Sequence, residues 1–153
     1  MIKDELTIAL PKGRLGAKSL ELLAKTGLPV GGVEPESRTL KFSFGYVRYL
    51  ICKPTDVPIY VEYGVADIGI VGKDTIEEEQ RNVFELLDLG FGKCNFAVAA
   101  PKSLVEKYEG IDPFTLHLLN HKRVATKFIN VAHAFFYRNV YKWSLFIYMV
   151  ILN

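Results

Sequence analysis

The chain has 153 residues, half of them apolar and 24% charged, with a net charge of +2, which is the size and balance of one soluble globular domain. No stretch approaches the roughly 20 apolar residues that span a bilayer, and the N-terminal MIKDELTIA carries an acidic pair and no long apolar run, so it is not expected to be a signal peptide. Charge is unevenly spread: all 17 carboxylates lie at or before Asp112, so the part before Pro113 sums to −3 and the rest to +5.

In chain order, LTIAL begins as a buried strand, with Leu6, Ile8 and Leu10 alternating with Thr7 and Ala9, and stops at Pro11. LGAKSLELLAKTG follows as a helix. Leu15, Ser19, Leu22 and Leu23 fall on one face, and Gly27 is its stop. Residues 38–44 and 46–52 are expected as two strands around Gly45. In KPTDVPIYVEYG, Thr55 or Asp56 caps a helix, Pro58 fits its first turn and Gly64 ends it. ADIGIVG is a short buried strand, and Asp74 or Thr75 opens a helix through TIEEEQ. VFELLDLG and CNFAVAAP are expected as strands, SLVEKYEG as a short helix, RVAT as a strand and residues 129–137 as a helix. The switching period indicates α/β organisation. Cys52 and Cys94 match no metal spacing and are expected as buried, reduced thiols of a cytoplasmic protein.

Three junctions share one design: an apolar strand, a turn rich in glycine or proline, then a helix. They are LTIAL-PKG-RLG, YLIC-KPT-DVP and DIGIV-GK-DTI. Ligands of open α/β sheets bind beyond such strand ends, where helix N-termini offer unpaired N–H groups. Each junction carries a lysine (Lys12, Lys53, Lys73), and the first adds Gly13 and Arg14. Cations placed there suit a phosphate or diphosphate. Asp67 and Asp74 flank the glycine-rich third turn and suit a ribose hydroxyl or a magnesium ion, or, for Asp74, helix capping. His117, His121 and His133 have no ligand spacing, and no nucleophilic triad stands out. The chemistry left is binding and electrostatic stabilisation of phosphates. The basic, aromatic tail is not expected to bind nucleic acid.

The motifs ALPKGRL, ESRTLKF, PTDVPIYVEYGVADIGIVGKD, ELLDLGFGKC and RVATKF resemble those of the ATP phosphoribosyltransferase family of histidine biosynthesis, in its short form, over Leu6 to about Phe136. The resemblance implies a type II periplasmic-binding-protein-like two-lobed α/β fold, with the site in the cleft. Residues 1–92 would form the first lobe and residues 93–153 an incomplete second. It also implies transfer from phosphoribosyl pyrophosphate to ATP with release of pyrophosphate, Mg²⁺ carried with the substrate phosphates, a regulatory subunit resembling histidyl-tRNA synthetase, and a homo-oligomer. Carried over residue by residue, Arg14 and Arg38 stabilise the departing pyrophosphate. Lys12 and Gly13 belong to the phosphate turn, and Asp67, Gly72 and Asp74 shape the nucleotide side. Lys53 stands where the family usually has arginine, which keeps the charge and loses the bidentate fork.

The likeness fades after Arg138. The family's glycine-rich segment for the ribose 5-phosphate is not found, and a catalytic chain truncated in this way is expected to be inactive alone. The alternative is a non-catalytic nucleotide-binding module or pseudo-subunit. A shifted reading frame accounts for the tail: Met149-Val150 then encodes glycine, and YMVILN hides a segment resembling the family's LYGSVE. Phe135, Phe136, Trp143, Phe146 and Ile147 are expected to be poorly covered, which favours association.

Overall fold

The structure is a computed structural model and describes residues 5–99, 101–103, 123–139 and 147–148. The chain divides into two compact units, Met1–Gly92 and Lys93–Asn153.

The first unit is built around strand β1 (Leu6–Pro11). Helix α1 (Arg14–Lys25) follows, then the hairpin β2 (Lys41–Phe44) and β3 (Val47–Cys52), helix α2 (Asp56–Glu62), strand β4 (Ile68–Gly69) and helix α3 (Lys73–Glu79). Sheet order is β2-β3-β1-β4. β3 and β4 run parallel to β1, with Leu6 opposite Val47 and Ile8 opposite Ile68, and β2 runs antiparallel to β3.

β1 is buried along almost its whole length because both its faces are covered, as is usual for a central parallel strand. Ile8 and Leu10 join Val47, Tyr49 and Ile51 of β3 in a core closed by Leu20 and Leu23 of α1. On the opposite face Ala9 and Cys52 pack with Val57 of α2 and Ala66. The buried stripe of α1 is Gly16, Ser19, Leu20 and Leu23, so Leu20 takes the place expected for Leu22. Gly27, at φ 84°, lies just past the Thr26 C-cap and stops the helix.

Several local expectations are corrected. Strand β2 begins only at Lys41, and β4 is a two-residue edge strand with Gly69 exposed. Thr55, one of the two residues expected, is the N-cap of α2, whereas Gly72 and not Asp74 or Thr75 is that of α3; neither makes a side-chain cap bond, and Asp56 and Asp74 stand in the first turns. Segments 83–90 and 94–99 form no strand, and Phe84 is 94% exposed. A strand needs a ladder partner, and apolar alternation alone does not supply one. Cys94 is exposed, whereas Cys52 is buried, and both are free thiols.

In the second unit, strand β5 (Val124–Ala125) pairs in parallel with β6 (Ile147–Tyr148), and helix α4 spans Ile129–Asn139. Phe96 and Phe128 meet edge to face at 5.0 Å, and Lys127 lies over the Phe128 ring. Phe136 is buried, against expectation, while Phe135 is exposed. The helix expected over residues 103–110 falls almost entirely outside the described residues, as do Trp143, Phe146 and most of the tail assigned to a shifted frame. Among the described residues, no helix is long and apolar enough to cross a membrane.

Candidate functional site: a cationic sheet edge

Parallel strands end at one edge, so the sheet itself gathers the three strand-to-helix junctions that are far apart in sequence. The Lys12 N–H donates to the Cys52 carbonyl at 2.9 Å, which places Lys12 beside the end of β3, next to Lys53. Arg38 reaches the same edge by a different route. β2 runs antiparallel to β3 and so enters from the end where β3 stops. The Ile51 N–H donates to the Leu40 carbonyl at 2.8 Å, and Arg38 lies two residues before Leu40. Sequence spacing gave no hint of this approach, because it depends on the hairpin's register.

Helix α1 starts directly behind β1. Gly13 is its N-cap, at φ 82° and ψ −162°, a backbone region that only glycine occupies readily. Gly16, in the first turn, lies so close to the end of β1 that a Cβ there would meet the Pro11 carbonyl oxygen at 2.0 Å. That close approach keeps Lys12, Gly13 and Arg14 in one tight turn. Gly16 is a functional position not named among the sequence candidates. Its signal was the Gly-x-x-Gly spacing from Gly13 to Gly16, with the second glycine inside a helical pattern.

The three helix starts differ in charge. α2 and α3 carry Asp56 and Asp74 in their first turns, an internal complement to the positive helix end. α1 has no acidic residue in its first turn and no side-chain cap. Its first N–H groups have no intrahelical acceptor. The nearest acid is exposed Glu36, whose Oε1 lies 3.8 Å from where a Gly13 side chain would begin.

The arginines at this edge differ from the other arginines of the unit. Lys12, Arg14, Arg38 and Lys53 are exposed, and among the described residues none has an ion-pair partner. The other two arginines are paired, Arg48 with Glu5 at 2.5 Å and Arg81 with Glu62 at 3.7 Å. Lys73, expected as the third free junction cation, is bound to Glu85, and that hydrogen bond raises its pKa.

Gly72 and Asp74 sit together at the third junction. The Asp74 carboxylate folds back over Gly72, filling the space a side chain at 72 would need; a Cβ there would lie 2.2 Å from Asp74 Oδ1. Asp67 is not brought to this edge. It precedes β4 and is level with Thr7, whose N–H donates to its Oδ2 at 2.8 Å. Cys52 lies just behind the edge, where burial, and to a lesser degree the charge of Asp56, pushes its thiol up to about 11. Among the described residues no group of three His, Cys, Asp or Glu side chains is placed to hold a metal ion. An open groove of about 370 Å³ between α1 and the loop through Val30, Val33 and Pro35 has no cation in its lining.

A family model described as ATP phosphoribosyltransferase matches residues 53–148. The ATP phosphoribosyltransferase of Moorella thermoacetica is 56% identical over 139 residues, covering 89% of this chain and 60% of its own length. That of Desulfitobacterium hafniense is 53% identical over 138 residues, covering 89% and 62%. Among solved structures, the ATP phosphoribosyl transferase (HisG:HisZ) complex from Thermotoga maritima superposes with a TM-score of 0.63 at 28% identity, covering 95% of this chain and 64% of that one. The chain thus spans about 60% of the length of the curated relatives it matches.

Proposed function

The chain belongs to the ATP phosphoribosyltransferase family, and on that premise we propose that its cationic edge binds phosphate oxygens in the first step of histidine biosynthesis. In that reaction N1 of ATP forms a bond to C1′ of phosphoribosyl pyrophosphate. The C1′–O bond breaks, and pyrophosphate leaves with the bonding electrons.

Such a transfer needs charge stabilisation on the departing oxygens and alignment of the two substrates, with no covalent intermediate. Arg14 and Arg38 are assigned to the pyrophosphate oxygens. Lys12, Gly13 and Lys53 line the phosphate turn, and Gly72 with Asp74 shapes the nucleotide side. The observation that carries this reading is the contrast among the four arginines of the unit. Among the described residues Arg14 and Arg38 form no ion pair, whereas Arg48 and Arg81 are already paired. An arginine left without an internal anion at an open helix start suits an external one.

The edge fits magnesium held mainly by substrate phosphates, the usual way this ion binds, with one or two carboxylates at most. Asp56 and Asp74 are the carboxylates at the junctions that could serve. When bound, the ion would neutralise phosphate charge. The wider reading extends to this chain a type II periplasmic-binding-protein-like fold, with Met1–Gly92 as one lobe and Lys93–Asn153 as part of the other. It also takes in a cytoplasmic setting, a homo-oligomer and a regulatory partner of the kind in the Thermotoga maritima complex.

Calorimetric titration with pyrophosphate tests the site directly. Arg14→Ala and Arg38→Ala should each weaken binding by about 10- to 150-fold, from the roughly 1.5–3 kcal/mol of a charge-assisted contact. Unchanged affinity in a folded Arg14→Ala variant would remove Arg14 from the site.

A further inference from the structure

We propose that Asp67 is a positioning residue, whose carboxylate seats β4 on β1 and thereby holds the 70–74 turn at the sheet edge. The effect on binding rests on the phosphate reading above; the clamp itself does not.

The argument starts from alternation along β1. The Leu6 and Lys12 N–H groups donate to Tyr46 and Cys52 carbonyls, on the β3 side. The Thr7 donor, one residue out of phase with them, points the other way, toward β4. Thr7 is only 2% exposed, so its N–H needs a protein acceptor. The backbone of β4 begins too late to provide one, and Asp67 Oδ2 takes the bond at 2.8 Å. The Asp67 N–H donates back to the Thr7 carbonyl at 2.9 Å, which makes the contact reciprocal.

Side-chain packing of Ile68 and Ile70 on the core holds β4 from one face, but its backbone bonds to β1 are few. Its ladder pairs only Ile68 and Gly69 with β1, and the Ile70 N–H donates to the Ala9 carbonyl at 3.0 Å. Two residues later the chain reaches Gly72. With so few backbone bonds, losing the clamp at one end should loosen the turn at the other. Asp67 does not reach the phosphate turn itself. Level with Thr7, it is five strand residues, or about 16 Å, back from Lys12.

The test compares Asp67→Ala with Asp67→Asn, which keeps an oxygen acceptor. Amide hydrogen exchange is followed at Thr7, at Ile70 and at Thr75, whose N–H donates to the Gly72 carbonyl. The Lys12 amide, bonded on the β3 side, reports whether the sheet is intact. In Asp67→Ala the first three amides should exchange about tenfold faster or more while Lys12 is unchanged, and pyrophosphate affinity should fall several-fold. Asp67→Asn should restore both. Should the alanine variant not fold, the asparagine variant decides: retained Ile70 and Thr75 protection supports the clamp, and lost protection overturns it. Faster exchange confined to Thr7 would overturn the proposal, as would equal loss of pyrophosphate binding in both variants with exchange unchanged. If Arg14→Ala leaves pyrophosphate affinity unchanged, the phosphate reading fails, and the exchange data still judge the clamp.

Discussion

Replacing Gly16 with alanine isolates the close approach of α1 to β1. The added methyl would sit 2.0 Å from the Pro11 carbonyl oxygen, 3.2 Å from its carbon and 3.3 Å from Pro35 Cβ. Real contacts of this kind do not fall below 3.0 Å, so the helix start must withdraw by at least the difference, 1.0 Å. The obstacle is backbone at the end of a buried strand, so it cannot rotate away. Overpacking of this sort costs about 1–3 kcal/mol, and a backbone clash this deep belongs at the upper end. Alanine returns about 1 kcal/mol of helix propensity, which leaves a net loss of about 2 kcal/mol. For a chain of this size that is a fall in melting temperature of about 4–8 °C. Because Gly13 and Arg14 ride on the displaced turn, pyrophosphate binding should weaken as well. The assay is urea unfolding with pyrophosphate titration on the same preparations. Gly31→Ala serves as the control, since a Cβ there meets nothing within 4 Å and the backbone is not strained. If Gly16→Ala matches the parent in both measurements, the close approach does not hold the turn.

Two further outcomes follow from single residues. Gln80 ends α3 at φ 49°, the one non-glycine residue with positive φ among those described, so Gln80→Gly should stabilise by about 0.5–1 kcal/mol; a lowered urea midpoint would contradict this. In the native protein one thiol, exposed Cys94, should react quickly with an alkylating reagent, and Cys52 should react only after unfolding. The fold retains the Cys52 proton to about pH 11, against 9.0 for a free thiol. Through that window the unfolded chain binds fewer protons than the folded one, so stability should fall as pH rises. Two fast equivalents in native buffer would refute both statements.

Local chemistry was legible where neighbours in sequence decide it. The β1 period, the glycine stops and the strand–turn–helix junctions at Lys12, Lys53 and Gly72 come from backbone sterics and side-chain spacing, which act over a few residues. The motif run from Pro54 to Asp74 carried the family resemblance because an unbroken string of residue types can be read without knowing any of its tertiary partners. Segment 83–99 shows the limit. Its apolar alternation matches a strand, but a strand exists only with a partner, and none pairs with it among the described residues.

The site divides along the same line. From the sequence came the residue types: cations at strand ends suited to phosphate oxygens. Tertiary structure decided which of them are available. Hairpin register brought Arg38 to the edge, Glu85 neutralised Lys73, and the Thr7 N–H fixed the Asp67 carboxylate at the start of β4. Charge is a property of a residue, whereas the partner that neutralises it lies tens of positions away in the chain and is set only when the sheet closes.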